Sequence, residues 1–447
     1  MDDVLITGMG VISHLGRGVD AFWKGLSAAR STPTTAADPY ARMSLPLMYE
    51  VPAEDVPAGP ERHGDLVLGR GSRLAVEAAR QAVADAALEG VAPDRIAVVI
   101  GTGMGDSGLH EDWRSGTGPE GGHWSPTFSV ASAVGSLLGA EGANSSVSNA
   151  CAASGFGLSM AADLIRTGEA DVVIAGGAEA YSRVALGCFN RLGAIDPVRC
   201  RPFDLHRRGT LFGEGAGMVI LESASHARAR SAPQVYAKLS GTGWSCDAFH
   251  TTAPEPTGAQ ISRAMREALA EAGAGGDRVG CVIPHGTGTQ LNDTVESQVL
   301  NEVLDGGRVD RPPVYSLKAL LGHTGGAAAE PPPRWRWWRR PRSCTARPFR
   351  RTSRRTSRTP TARSVCPSTK RRWRGSTCWS TPMRSAATTC HSYLRRRRHE
   401  RDAHRPGPGR RPGGLGHRSR HTLGGHPGRR SGRDRQTVRT GRLVRPP

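Results

Sequence analysis

Apolar residues follow two rhythms along the first 330 positions. Unbroken runs at Val4-Leu5-Ile6, Ile96-Ala97-Val98-Val99-Ile100, Val172-Val173-Ile174-Ala175 and Met218-Val219-Ile220-Leu221 predict strands covered on both faces. Between them, apolar positions recur every three or four residues. Phe22 and Leu26 predict a helix over 17–28. Leu74, Ala78 and Ala82, widened by Val76, Ala79 and Val83, predict one over 72–88. Residues 129–138 read as a short helix. Leu158, Ala161, Ala162 and Ile165 share a face of a helix that opens near Gly157 and stops near Gly168, a suitable C-cap. Residues 30–65 and 106–128 are polar and rich in Pro or Gly and read as loops. Gly8-Met9-Gly10 and Gly176-Gly177 read as turns that end strands. Arg201-Pro202-Phe203-Asp204 and Gly213-Glu214-Gly215-Ala216-Gly217 bracket a tight loop. Over 1–222 the alternation predicts a mostly parallel sheet between helices. Gly8 and Gly10 lack the third glycine and the immediate helix of a dinucleotide site.

The second half repeats the grammar. Val235 to Gly241 predicts a strand, and Ile261, Ala264, Met265, Ala268 and Leu269 the apolar face of a helix. Val279–Ile283 predicts a strand, Asp293–Leu304 a helix, and Pro313–Ser316 a further short strand. Two units of one design, facing each other, account for both halves.

Candidate chemistry falls at equivalent places in the two units. Cys151 lies in Ser148-Asn149-Ala150-Cys151-Ala152-Ala153-Ser154-Gly155, between a short strand closed by Val147 and the helix that follows. Backbone N–H groups and the dipole at a helix start favour thiolate, the nucleophilic form. A small buried cysteine among alanines is the plainer alternative. His285 ends the 279–283 strand in a loop crowded with glycines, and His323 stands in a similar loop five residues after Lys318. Open α/β sheets bind ligands at the carboxyl ends of their strands. Two histidines and a cysteine there can make a nucleophile with proton donors, can hold a metal, or can be ordinary loop residues.

Charge separates the chain into unlike pieces. Residues 1–330 hold 26 basic and 37 acidic residues, a net of −11; residues 331–447 hold 33 Arg, one Lys and three acids, a net of +31. The nine cysteines include no C-x-x-C pair, which excludes zinc-ribbon spacing and suits a reducing compartment. The acidic, strand-like N-terminus has no signal-peptide pattern, and no apolar run approaches the roughly 20 residues of a membrane span. A soluble, cytoplasmic protein with no membrane partner is expected.

Taken together, Asn149-Ala150-Cys151-Ala152-Ala153-Ser154-Gly155, His285-Gly286-Thr287-Gly288-Thr289 with Asn292-Asp293 and Glu296, and Lys318 with Leu321-Gly322-His323-Thr324-Gly325-Gly326-Ala327 resemble the β-ketoacyl synthases. These are the decarboxylating condensing enzymes of fatty-acid and polyketide synthesis. The resemblance covers residues 3 to about 329. It implies a thiolase-like α/β fold, a layered α/β/α/β/α sandwich of two pseudo-duplicated halves (1–225 and 226–330), the second truncated. It implies that Cys151 takes an acyl group from the phosphopantetheine of acyl carrier protein, with no bound cofactor and no metal. His285 and His323 would hold the malonyl thioester carbonyl while CO₂ is lost. Lys318 would pair with Glu296 and organise the histidines, Asp293 would support the same loop, and Thr287 and Thr289 would bind the pantetheine arm. Two histidines match the elongating members, since initiating relatives carry Asn at one of those places. Non-condensing partner subunits lack the cysteine. The partners implied are acyl carrier protein and a second synthase subunit, in a homodimer or a heterodimer. Pro284, with its fixed φ, stands where the family has a small residue.

After Ala329 the family continues with an amphipathic helix and later a Gly-Phe-Gly-Gly turn that supplies a donor to the oxyanion hole. This chain instead runs Glu330-Pro331-Pro332-Pro333-Arg334-Trp335-Arg336-Trp337-Trp338, and Gly-Phe-Gly-Gly is absent. From 331 to 447 neither helical nor strand periodicity is sustained, the composition of a non-globular, disordered tail. One explanation is a nucleic-acid-binding tail, with Arg on phosphates and Trp335, Trp337, Trp338 and Trp373 stacked on bases. The other is translation out of frame from about codon 329, which in GC-rich DNA yields Arg and Pro in excess. Loss of pattern in mid-helix favours the second. A catalytically silent scaffold subunit is a further alternative function.

Overall fold

The structure is a computed structural model that describes residues 2–57, 62–304 and 311–327, and the backbone of 389–395. Its centre is one mixed sheet. The main strands are β1 (Val4–Ser13), β2 (Ile96–Gly101), β3 (Asn144–Val147), β4 (Val172–Glu179), β5 (Gly215–Ser223), β6 (Ala237–Ser245) and β7 (Thr389–Arg395), in the order β7-β6-β1-β5-β4-β2-β3. The helices used below are α1 (Val19–Ala28), α2 (Arg70–Ala86), α3 (Ser107–Arg114), α4 (Ser129–Leu138), α5 (Ala153–Arg166), α6 (Arg183–Arg191), α7 (Ala224–Ala229), α8 (Ala259–Glu271), α9 (Gln290–Leu304) and α10 (Lys318–Leu321).

The sheet is not mostly parallel. β2 runs parallel to β3 and to β4, but β5 is antiparallel to β4 and to β1, and β6 is antiparallel to β1. The continuous apolar runs mark burial on both faces, and that holds for either direction of pairing. Along β2, Val98 and Ile100 face α2 and α4, whereas Ala97 and Val99 face α5. The two faces carry separate apolar cores, each covered by helices.

Three expected turns lie inside strands. β1 continues through Gly8-Met9-Gly10, β4 through Gly176-Gly177, and β5 begins at Gly215. At Gly8 and Gly10 the reason is close approach: a Cβ would come within 2.3 Å of the Ala82 carbonyl oxygen and 2.0 Å of that of Ala78, both on α2. The glycines let a helix lie directly on the strand rather than end it.

The other differences are local. α1 and α2 run Val19–Ala28 and Arg70–Ala86, and α5 starts at Ala153, four residues before Gly157. α3 occupies part of the expected loop 106–128, and short strands at Thr34–Thr35 and Leu47–Tyr49 interrupt 30–65. The expected strands 279–283 and 313–316 reduce to one parallel bridge between Val282 and Val314. β7 pairs antiparallel with β6 at the sheet edge, so Thr389–Arg395 has the strand character not expected after 331. Edge pairing needs only backbone groups, which a sequence without apolar periodicity also supplies. The rest of 331–447, with its tryptophans and the proposed frame change, lies outside the described residues.

The carboxyl ends of β2, β3 and β4 open at one end of the sheet, as does the start of β5, where Gly215 pairs with Glu179. Among the described residues no helix is long and apolar enough to cross a membrane.

Candidate active site

Cys151 sits just beyond the end of β3. It is the middle residue of a 3₁₀ turn, Ala150–Ala152, that feeds directly into the N-terminus of α5. Ala150 adopts φ +44°, a left-handed conformation that costs an alanine about 1–3 kcal/mol. The strained corner lifts Cys151 off the strand and against the positive end of the helix. Its side chain is buried, with 8% exposed.

His323 reaches the same end of the sheet from the other half of the sequence. Its loop is fixed by backbone: the His323 N–H donates to the Leu211 carbonyl at 2.6 Å, and the Gly213 N–H donates to the His323 carbonyl at 3.1 Å. The imidazole stacks on Phe212 at 6.0 Å, with 10° between the planes. The Gly325 N–H donates to His323 Nδ1 at 3.1 Å. A neutral ring that accepts at Nδ1 carries its proton on Nε2, so the other nitrogen is a donor.

The Gly325–Ala327 turn brings His323 to the cysteine, because it packs on the Ala150–Ala152 turn with Cα atoms within 8 Å. Gly177 on β4 lies beneath both. A Cβ there would meet the Gly326 carbonyl oxygen at 2.7 Å and the Ser154 Cβ at 2.8 Å. His285 completes the group: its ring stands perpendicular to that of His323, centroids 5.4 Å apart, and each histidine is only 2% exposed.

The residues behind His285 form a buried polar knot. Glu296, on α9, accepts the N–H groups of His285 at 2.7 Å and Gly286 at 2.8 Å, and the Asn292 amide at 3.2 Å. Burial pushes its carboxyl up to about 7, against those bonds and the pull of Lys318. Lys318 is buried at the start of α10 and acts on Glu296 through its charge. Asp293 accepts from Phe203 N–H at 2.6 Å and Gly288 N–H at 3.2 Å, and pairs with Arg207 at 3.6 Å; burial raises its pKa. It therefore fastens the loop around Phe203 to the loop after His285. The hydroxyls of Thr287 and Thr289 lie 2.9 Å apart, and the Cys200 thiol donates to the Thr287 carbonyl at 3.3 Å. Pro284 leaves the His285 N–H bond to Glu296 intact.

Cys151, His285, Thr287, Thr289 and His323 thus lie on turns and loops, and Asp293 and Glu296 on α9 and Lys318 at the start of α10 stand behind the histidine loops. Sequence reasoning missed Glu179 and the Phe212 stack. Glu179 left one clue, a lone carboxylate closing an apolar strand. Phe212 and the strained Ala150 left none. Among the described residues no three His, Cys, Asp or Glu side chains gather as a metal-binding group.

A buried cysteine at a helix start and two buried imidazoles are thus gathered at one end of the sheet, on turns that pack together. The Beta-ketoacyl synthase, N-terminal domain family model matches residues 1–227, and the Beta-ketoacyl synthase, C-terminal domain model matches 236–330; the chain belongs to the β-ketoacyl synthase family. It is 34% identical over 342 residues to Nodulation protein E of Rhizobium meliloti (strain 1021), covering 73% of this chain and 83% of that one. It is 34% identical over 354 residues to the Tetracenomycin polyketide synthase ketoacyl synthase alpha subunit of Streptomyces glaucescens, covering 72% and 81%. Among solved structures it is similar to the ishigamide ketosynthase/chain length factor, with a TM-score of 0.65, 35% identity, and 73% and 83% of the two chains covered. The fold is therefore the thiolase-like ketosynthase fold.

Proposed function

We propose that this chain is an elongating 3-oxoacyl-[acyl-carrier-protein] synthase, serving fatty-acid or type II polyketide assembly. The observation that carries this reading is the perpendicular pair of buried imidazoles, 5.4 Å apart, on loops that converge with the Cys151 turn.

The Cys151 thiolate attacks the thioester carbonyl of an acyl group carried on phosphopantetheine. A new thioester forms on Sγ, the old C–S bond breaks, and the carrier's sulfur leaves as thiolate and takes a proton from solvent. Malonyl thioester then binds with its carbonyl oxygen toward His285 and His323. Its C–CO₂⁻ bond breaks, CO₂ leaves, and the electron pair moves into an enolate. The Nε2–H of His323 donates to the developing oxyanion, together with His285. The enolate carbon attacks the acyl-Cys151 carbonyl, the C–S bond breaks, and the thiolate is restored as the 3-oxoacyl product departs. Thr287 and Thr289 stand beside His285 as the hydroxyls for the pantetheine arm. Lys318, Glu296 and Asp293 act as positioning residues behind the histidines. The chain needs no cofactor beyond what the carrier brings.

The partners in this reading are acyl carrier protein and a second synthase subunit. Among the described residues β3 has a neighbour on one side only and is partly exposed, which suits pairing with another copy or a related chain. The likeness to a ketosynthase/chain length factor supports a related partner subunit, and Cys151 supports the condensing role for this chain rather than the silent one. We read residues 331–447 as out of frame: the family model ends at 330, where the acidic composition gives way to arginine. Resequencing codons 325–335 decides that point.

The function is tested by incubating the protein with acyl- and malonyl-acyl carrier protein. An acyl mass shift on Cys151, absent from Cys151→Ala, with release of CO₂, is the expected result. A chain that takes no acyl group while a co-purified partner does is a silent subunit, and the proposal fails.

A further inference from the structure

Glu179 is the last residue of β4 and is 3% exposed. Its Oε2 accepts the Gly103 N–H at 2.7 Å and the Gly326 N–H at 2.7 Å, and its Oε1 accepts the Met104 N–H at 2.9 Å. Among the described residues it takes part in no ion pair. Burying a carboxylate without a counter-ion is costly, and three neutral N–H donors offset only part of that. Burial accordingly raises its pKa to about 7. A residue whose only task was to fill space at the end of an apolar strand would not need this group.

What the carboxylate touches is specific. Gly103 belongs to the turn after β2, and its carbonyl receives the Ser148 hydroxyl at 3.4 Å, three residues before Cys151. Gly326 follows Gly325, whose N–H sets the His323 tautomer. Gly325 itself has φ +51°, and a Cβ on it would come within 2.5 Å of Glu179 Oε2. One carboxylate therefore spans the turn behind the cysteine and the turn that holds the imidazole.

We propose that Glu179 is a positioning residue that clamps the Gly325–Gly326 turn and, through it, holds His323 with Nδ1 as acceptor and Nε2–H as donor. The inference rests on the condensing function for its kinetic consequence but not for its structural one. Replacing the carboxylate with an amide puts an N–H₂ where an acceptor is needed. With the N–H₂ in the place of Oε2 the Gly326 bond is lost and the Gly325 N–H is no longer pinned on Nδ1; with it in the place of Oε1 only the Met104 bond is lost, so the variant samples both arrangements.

The test uses the full chain labelled with ¹⁵N-histidine. Long-range ¹H–¹⁵N spectra are recorded above the titration range of histidine, with the His323 signal identified by its loss in His323→Gln. Wild type should show a single Nε2–H tautomer. In Glu179→Gln the signal should move to a mixture of tautomers. Decarboxylation of malonyl-acyl carrier protein should fall on the order of 10²-fold, the scale of a misplaced catalytic group. Alkylation of Cys151 by iodoacetamide should keep its wild-type rate. Glu179→Asp is read in the same assays if the amide variant does not fold. An unchanged tautomer, a Cys151 alkylation rate that falls in step with decarboxylation, or loss of the fold in both variants assigns Glu179 to the framework and overturns the proposal. If wild type itself decarboxylates nothing, the condensing function fails while the tautomer measurement still decides the role of Glu179.

Discussion

Glu296 accepts the backbone N–H of His285 at 2.7 Å from the second turn of α9, so a carboxyl buried beneath the loop, not the imidazole's own neighbours in sequence, fixes where that histidine stands. The bond joins the two ends of the same motif across 11 residues of chain. It has a thermodynamic consequence that can be measured apart from catalysis.

Burial raises the Glu296 pKa from 4.5 to about 7. Between those values the folded state binds its proton more tightly than the unfolded state does. The stabilisation from that proton is complete below about pH 4.5 and is lost as pH rises through about 7. For a shift of this size the loss is on the order of 3 kcal/mol. Glu296→Gln should therefore lose less stability than wild type between about pH 4.5 and 8 in urea titrations. Some slope remains in the variant, because Glu179 is raised to about 7 for the same reason. Equal slopes in the two proteins would mean that Glu296 is already ionised at low pH in the fold.

Asp293 joins two loops through one carboxylate, and its loss should be felt as a loss of stability. Asp293→Ala strands the Phe203 and Gly288 N–H groups and removes the Arg207 partner. Unpaired buried donors cost about 1–3 kcal/mol each, so the variant should lose about 3 kcal/mol or more in chemical denaturation. Asp293→Asn, which keeps an acceptor oxygen, should lose less.

The division of labour between sulfur and imidazoles predicts a split. His323→Ala and His285→Ala should still take an acyl group on Cys151, seen as an adduct by mass spectrometry. Each should lose on the order of 10²–10³ in decarboxylation rate, the usual cost of one oxyanion donor. Cys151→Ala should take no acyl group. Histidine variants that fail to acylate would move the imidazoles into the activation of the thiol instead.

Much of this was legible in the sequence because strand runs and glycine-rich corners have local causes. The sequence located β2, β4 and β5, α4 to the residue, and the two histidine loops, since each depends on burial or on turns within a few residues. The direction of the strands was not legible, because a run such as Val172–Ala175 is buried on both faces whichever way its neighbour runs. Glycines were misread where the reason lies far along the chain: Gly8 and Gly10 answer to Ala82 and Ala78 on α2, not to a turn. The strand expected at 279–283 fell short for a related reason. Apolar burial was signalled by Val282 and Ile283, but pairing depends on neighbours, and only Val314 bridges to it. At the site, residue types and glycine-rich loops pointed to Cys151, His285 and His323, which the structure brings to one end of the sheet. The contacts behind them, Glu179 on Gly326 and Phe212 on His323, join positions 147 and 111 residues apart, and beyond the lone carboxylate that closes β4 no local pattern announces them.

The contact between β1 and α2 yields a prediction that needs no catalytic assay. At Gly10 an added Cβ would sit 2.0 Å from the Ala78 carbonyl oxygen and 2.7 Å from the Gln81 Cβ. Neither can yield easily: the first is helix backbone, and the Gln81 side chain accepts the Val11 N–H at 3.1 Å. Gly10→Ala must therefore push α2 off the sheet. Overpacking of a tight core costs about 1–3 kcal/mol, and backbone contact belongs at the upper end. The same helix packs on α4 and on β5, so the displacement spreads through the core on that face. Gly18→Ala, at a glycine with nothing within 4 Å of the added carbon, is the control: its cost comes from φ +93° alone and leaves the α2 contact untouched. A Gly10→Ala protein with the wild-type melting temperature would show that the helix does not lie on this strand as closely as described.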